Sequence, residues 1–113
     1  MVLIQVAIGG AIGAVLRYSI GLWIAFPYGT IAVNVLGSFL MGLAFVLLGT
    51  RAGAPFVMAG ILGGFTTFSA FSLDVIRLYE AGRFVSAGGY VIGSVLLSIF
   101  ALIFGVALAR VFT

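Results

Sequence analysis

Residues 85–109, VSAGGYVIGSVLLSIFALIFGVALA, contain no charged side chain. A helix needs about 20 predominantly apolar residues to cross the hydrocarbon core of a bilayer, so this stretch is long enough to span a membrane. The rest of the chain has the same character, because hydrophobic residues make up 65% of its 113 residues and charged residues only 6%. The sequence therefore predicts an all-α membrane protein with four transmembrane helices and short connections.

Hydropathy and helix-ending residues together set the expected boundaries. We predict spans at residues 2–24, 29–50, 55–80 and 85–111, which form a single transmembrane domain over residues 1–113. Each turn between them contains proline or glycine, the residues that most often end a helix. The first apolar stretch is predicted to be a span and not a cleaved signal, because it lacks a basic lead and continues through Arg17.

The charged residues are few. Five arginines, two acidic residues and no lysine give a net charge of +3, which is too sparse for a nucleic-acid-binding surface. The chain has no cysteine and no histidine, so disulfides and most transition-metal sites are excluded.

The arginines also carry the orientation signal, because the short loops of a membrane protein that contain more Lys and Arg stay on the cytoplasmic side. Two arginines fall on each predicted side, Arg51 and Arg110 against Arg77 and Arg83. So weak a bias favours insertion in both orientations and hence an antiparallel homodimer. The alternative is one orientation, set by Arg83 or by the terminal amine.

Two polar residues interrupt the first half of the chain. Arg17 lies within the first span, where a charge costs about 2.5–3.5 kcal/mol, so it needs carbonyl partners, a wet vestibule or an anion. The alternative is an arginine that snorkels to the interface. Asn34, Ser38 and Gly42 share one face of the second span, where the amide either bonds a neighbouring helix or coordinates an anion.

The third span contains the most informative segment, GILGGFTTFSAFS at residues 60–72. A Gly-Gly pair followed by two threonines makes a poor continuous helix, so we predict that the third helix is broken near its middle. Carbonyls freed at such a break suit Na⁺. Phe68 and Phe71 follow one turn apart, and their partially positive ring edges can line an anion path, although membrane phenylalanines usually face lipid.

The fourth span carries Tyr90, Ser94 and Ser98 at intervals of four residues, which predicts a line of hydroxyls on one face. A single serine in a span usually bonds back to its own helix, but three hydroxyls in register favour a shared function. Glycines recur at the same interval and predict close helix packing; they are Gly9, Gly13 and Gly21 in the first span and Gly89 and Gly93 in the last.

Over nearly its whole length the chain resembles the Fluc, or CrcB-like, fluoride channels of bacteria. The matching blocks are Gly9 to Tyr18, the Gly29-Thr30, Asn34 and Gly37 segment, residues 63–72, and the Tyr90, Ser94 and Ser98 series. The resemblance implies a fluoride-selective channel in the bacterial inner membrane, which exports fluoride passively and protects the cell from its toxicity. It also implies an antiparallel dual-topology homodimer with two pores.

The resemblance further implies roles for particular residues. Phe68 and Phe71 would be the pore phenylalanines, Asn34 the pore amide, and Arg17 a vestibule residue. The carbonyls of Gly63 and Thr66 would hold a structural Na⁺ at the dimer centre. The polar track and the hydroxyls near it would be Tyr90, Ser94, Ser98, Thr67 and Ser69. One departure is Ala70, where many relatives carry Thr.

Three other functions are less compatible with the residues. A small proton-coupled four-helix exporter needs a titratable carboxylate inside the membrane, whereas Asp74 and Glu80 fall toward the end of the third span. A structural assembly protein would leave the polar interruptions without a purpose. An enzyme is not expected, because no nucleophile stands with a base or metal cluster.

Overall fold

The structure, a computed structural model, describes residues 1–113 as helices joined by short turns. Four helices are long and apolar enough to cross a membrane; they are Val2–Trp23, Tyr28–Leu47, Pro55–Glu80 and Phe84–Val111. We call them the first, second, third and fourth spans. The prediction of an all-α membrane protein with four spans is confirmed.

The second span ends earlier than predicted, at Leu47 instead of residue 50. The chain turns at Gly49, whose φ of +52° lies in the left-handed region that glycine adopts without steric cost. The apolar run continues through Leu47 and Leu48 up to this glycine, so hydropathy alone does not place the helix end before the turn.

The third span consists of three helical segments, Pro55–Leu62, Gly63–Phe65 and Ser69–Glu80. The first of these is π-helical and begins at Pro55. Proline suits this position, because the first N–H of a helix has no partner within the helix and proline has no N–H. Thr66, which follows the short second segment, has an extended backbone with a ψ of 157°. Residues 66–68 therefore lie between two helical segments of one span.

The spans pack as two main pairs, the first against the early part of the third and the second against the fourth. Glycines allow the helix backbones to approach each other closely in both pairs. A Cβ added to Gly13 would lie 2.1 Å from the carbonyl oxygen of Ile61, and one on Gly42 would lie 2.2 Å from that of Leu102. Gly105 meets the second span in the same way, at the carbonyl oxygen of Phe39. Small residues thus bring these helix backbones together.

Other glycines expected to pack closely do not do so within one chain. A Cβ at Gly21, Gly89 or Gly93 would meet no atom within 4 Å. An interval of four residues identifies a face of a helix but not the neighbour that covers it. The fourth span instead contacts its neighbour through Gly105.

Few residues are buried in a single chain, only 19 of 113. A buried cluster of Phe71, Leu78, Ala87 and Tyr90 joins the end of the third span to the start of the fourth. Large apolar side chains are exposed on every span, as is typical of helices that face lipid or a second chain.

Candidate functional site

An open cavity of about 450 Å³ lies among the second, third and fourth spans. It brings together eight of the site residues predicted from sequence, namely Asn34, Gly63, Thr66, Thr67, Phe68, Phe71, Ser94 and Ser98. Gly37, Ser38 and Met41 of the second span also line it, and no charged side chain does. The cavity therefore offers hydroxyls, an amide and aromatic rings at membrane depth.

Asn34 fixes the backbone of the third span beside this cavity. Its Nδ2 donates to the carbonyl oxygen of Thr67 at 3.0 Å, and its Oδ1 accepts from the Thr67 amide at 2.8 Å. The side chain thus replaces the helical partners that Thr67 lacks. Because the amide nitrogen carries two protons, one N–H remains free of these two bonds.

Two carbonyls of the third span lack the amide donors that a continuous helix would give them. In a continuous α-helix the amide of Thr67 would bond the carbonyl of Gly63, but it donates to Asn34 instead. Likewise the Ala70 amide, the helical partner of the Thr66 carbonyl, donates to Thr67 Oγ1 at 3.1 Å. The carbonyl of Gly64, which lies between them, accepts from Arg17 Nε at 3.1 Å.

Two carbonyls released in this way fit a small hard cation, because such ions prefer oxygen ligands. They are the same two oxygens, of Gly63 and Thr66, to which the resemblance assigns Na⁺. No group of three or more acidic, histidine or cysteine side chains offers a competing metal site.

The two predicted pore phenylalanines differ sharply in burial. Phe71 is 7% exposed, whereas Phe68 is 75% exposed. Their ring centroids lie 5.3 Å apart with the planes tilted by 47°, and Phe71 also stacks on Tyr90 at 5.4 Å. Phe71 is therefore held rigidly by its neighbours, while Phe68 extends from the surface of the single chain.

The hydroxyls of the fourth span divide into two groups. Ser94 is 4% exposed, lines the cavity, and has no hydrogen-bond partner for its Oγ; Ser98 lines the cavity one turn further along. Tyr90 does not line it, and its hydroxyl donates to Asp74 Oδ2 at 2.8 Å. Only two of the three predicted hydroxyls thus reach the cavity.

Asp74 was not selected from the sequence as a site residue, yet it is only 5% exposed. Its hydrogen bond to Tyr90 links it to the stacked rings beside the cavity. The signal was its position three residues after Phe71, which places both side chains on one helix face.

Thr67 stands between this cavity and a smaller one. Its Oγ1 lies 3.3 Å from Ser69 Oγ, and Ser69 itself is exposed and lines neither cavity. The second cavity, of about 210 Å³, is lined by Arg17, Thr30, Thr67 and Ala70 among others. Arg17 thus lies on the far side of Thr67 from the larger cavity, with part of its guanidinium bonded to Gly64.

Comparisons with known proteins agree on one family. The sequence profile described as CrcB-like protein, Camphor Resistance (CrcB), matches residues 4–106. The "Fluoride-specific ion channel FluC" of Paracoccus denitrificans is 48% identical, over 95% of this chain and 93% of its own length. Proteins of the same name from Rhizobium etli and Cereibacter sphaeroides are 50% and 52% identical, over 93% and 96% of this chain and 93% and 94% of theirs.

Proposed function

The chain belongs to the CrcB-like family, and we propose that it forms a fluoride-selective channel through which fluoride leaves the cell passively. The protein is a multi-pass protein of the cell membrane. Export of this kind protects a cell from fluoride toxicity, because HF formed in acid surroundings crosses the bilayer and releases fluoride inside.

The observation that carries the proposal is the chemistry of the 450 Å³ cavity. Its polar groups are hydroxyls and one amide, its rings are Phe68 and Phe71, and it has no fixed charge. Fluoride is small and strongly hydrated, so a pathway must replace its water with hydrogen-bond donors. A cationic side chain among these donors would bind the anion too tightly for it to leave.

Particular atoms suit this role. The free N–H of Asn34 and the unpartnered hydroxyl of Ser94 are donors that the chain itself does not use. Ring edges of Phe68 and Phe71 carry partial positive charge and add weak attraction between the donor sites. Thr67 and Ser98 line the same cavity and extend the proposed pathway. Ser69, beside Thr67, and Tyr90, stacked on Phe71, would join it outside the cavity of the single chain, and Arg17 attracts anions to its vestibule.

A second copy of the chain is part of the proposal. The cavity is open, and Phe68 is 75% exposed, so one chain does not enclose a pathway by itself. We infer an antiparallel homodimer with two pores, each bounded by both copies. The balanced arginines support dual topology, since neither side of the chain has a clear excess.

We also propose that Na⁺ binds the carbonyls of Gly63 and Thr66 at the centre of this dimer. Both carbonyls have lost their helical donors to Asn34 and Thr67, so they are available as ligands. When bound, the ion would supply the positive charge that holds these oxygens together. The interruption at residues 66–68 would thus free carbonyls for the ion and, through the bonds of Thr67 to Asn34, hold the amide beside the anion pathway.

The alternative function, a proton-coupled exporter, needs a titratable carboxylate inside the membrane. Asp74 is a buried carboxylate, but Tyr90 and Arg77 occupy its two oxygens, and the similar proteins are named as ion channels. These observations favour the channel.

The decisive experiment is fluoride efflux from liposomes that contain the purified protein. We expect efflux that needs a counter-ion path such as valinomycin with K⁺, and that exceeds chloride efflux under the same gradient. Chloride moving as fast as fluoride would refute selectivity. Fluoride movement that needs a proton gradient and no counter-ion path would favour the exporter.

A further inference from the structure

Asp74 and Arg77 form the one salt bridge of the chain, close to the proposed pathway but outside its cavity. Arg77 Nη1 lies 3.6 Å from Asp74 Oδ1, and the arginine side chain is 59% exposed while that of the aspartate is 7% exposed. The other carboxylate oxygen accepts the hydroxyl proton of Tyr90. A buried negative charge is thus held between a tyrosine and an arginine that reaches the surface.

This carboxylate is connected to the pathway by two aromatic rings. Tyr90 stacks on Phe71 with ring centroids 5.4 Å apart, and Phe71 lines the cavity. Water screens charges poorly across a protein interior, so the field of a buried carboxylate extends along this stack of rings. An uncompensated Asp74 would therefore repel an anion that approaches Phe71 or Tyr90.

We propose that Arg77 is a positioning residue for fluoride conduction, which cancels the charge of Asp74 at the Tyr90 end of the pathway. The proposal rests on the proposed channel function. Arg77 has the required place, because it is the one arginine paired with this carboxylate. Asp74 in turn orients the hydroxyl of Tyr90, so the pair fixes the tyrosine without leaving net negative charge beside an anion path.

A purely structural role for the ion pair predicts something different. Pairs between residues three apart on one helix contribute little to folding when one partner is solvent-exposed. If Arg77 only stabilised the helix, its replacement would leave the fluoride flux unchanged, whether residue 74 is charged or neutral. The charge-cancelling role predicts instead that the effect of losing Arg77 depends on the charge of residue 74.

The test compares fluoride efflux from liposomes for five variants with equal amounts of dimer confirmed by size-exclusion chromatography. Arg77→Gln should lower the fluoride flux about tenfold, equivalent to about 1.4 kcal/mol of added barrier. Arg77→Lys should retain most of the flux. Arg83→Gln is the matched control, because it removes one exposed arginine without an ion pair from the same side of the chain, so any effect on membrane orientation is common to both variants, and Arg77→Gln should be about tenfold slower than this control.

The double variant Asp74→Asn with Arg77→Gln gives the critical comparison. Asparagine still accepts the Tyr90 hydroxyl, so the double variant should recover the flux that Arg77→Gln loses. Asp74→Asn alone should conduct at least as fast as the unmodified chain, and it provides a test even if Arg77→Gln does not fold.

Three results would overturn the proposal. They are an unchanged flux in Arg77→Gln, a double variant as slow as Arg77→Gln, and a large loss of flux in Asp74→Asn alone. Failure of the channel function itself is distinguishable, because the unmodified chain would then move fluoride no faster than chloride.

Discussion

Asn34 has two tasks at one position, since it holds the backbone of Thr67 and keeps one N–H free. Asn34→Ala removes both bonds and leaves the Thr67 amide without its partner, so we expect a loss of about 1–3 kcal/mol in stability together with loss of fluoride flux. Unfolding in detergent and liposome efflux measure the two effects. Ser72→Ala is the control, because that exposed hydroxyl bonds only the carbonyl of Phe68 within its own helix.

A second substitution at this position tests the donor with the acceptor retained. Asn34→Asp keeps an oxygen that accepts from the Thr67 amide but lacks both N–H groups and adds a negative charge. We expect it to lose fluoride flux, and to lose stability as well, because its second oxygen would face the Thr67 carbonyl and a charge in a span is costly. Equal flux in Asn34→Asp and the unmodified chain would show that this amide donates nothing to the anion.

Ser94 allows a donor to be removed without breaking a bond inside the chain. Its Oγ is buried and has no partner, so Ser94→Ala should leave stability unchanged or slightly raised. Loss of a donor from the pathway should lower fluoride flux severalfold. Thermal unfolding and efflux provide the two readouts. Reduced stability with full flux would mean that the hydroxyl serves packing and not fluoride.

At the scale of helices, glycine contacts set the distance between the second and fourth spans. A Cβ at Gly42 would lie 2.2 Å from the Leu102 carbonyl oxygen, so Gly42→Ala must push the two backbones apart. Because Asn34 of the second span and Ser94 and Ser98 of the fourth line one cavity, we expect less folded dimer and lower flux. Gly88→Ala is the matched control, since its Cβ would meet nothing within 4 Å. Equal yields of the two variants in size-exclusion chromatography would contradict this account.

The sequence predicted the helices and most of the residues that line the cavity, but not which polar groups form hydrogen bonds with one another. Span number follows from hydropathy, and Asn34, Ser94 and Ser98 were identifiable because polar residues at membrane depth are costly. The burial of Asp74 and its bond to Tyr90 were not predictable, because both depend on how two helices approach. The same limit applies to glycines, where Gly89 and Gly105 look alike in sequence but only Gly105 meets another helix.

For the whole molecule, the proposed dimer would enclose a pathway that one copy leaves open. The apolar surface of the single chain is extensive, and the exposed ring of Phe68 lies at the edge of the cavity. A lipid-facing position would give this ring no role in conduction, whereas an antiparallel partner would close the cavity over it. Under the proposed antiparallel pairing, the orientation of the chains in the membrane therefore determines whether a pore forms.

Orientation is testable because the signal is weak and easily changed. Two lysines added after Met1 should direct most chains one way, and two added at residues 81–83 should direct them the other way, since short loops rich in Lys and Arg stay in the cytoplasm. The chain has no cysteine, so a single cysteine placed at the C-terminus reports orientation by its reaction with an impermeant thiol reagent. The unmodified chain should label from both sides.

Each lysine variant expressed alone should then lack antiparallel partners and lose most of its fluoride flux, whereas co-expression of the two should restore it. The proposed antiparallel dimer predicts this complementation, because each copy has an open cavity and an exposed Phe68 that an inverted partner would close in that dimer. A parallel dimer would conduct from either variant alone. Full flux from a population that labels on one side only would therefore exclude the antiparallel pair while leaving the fluoride pathway of each chain intact.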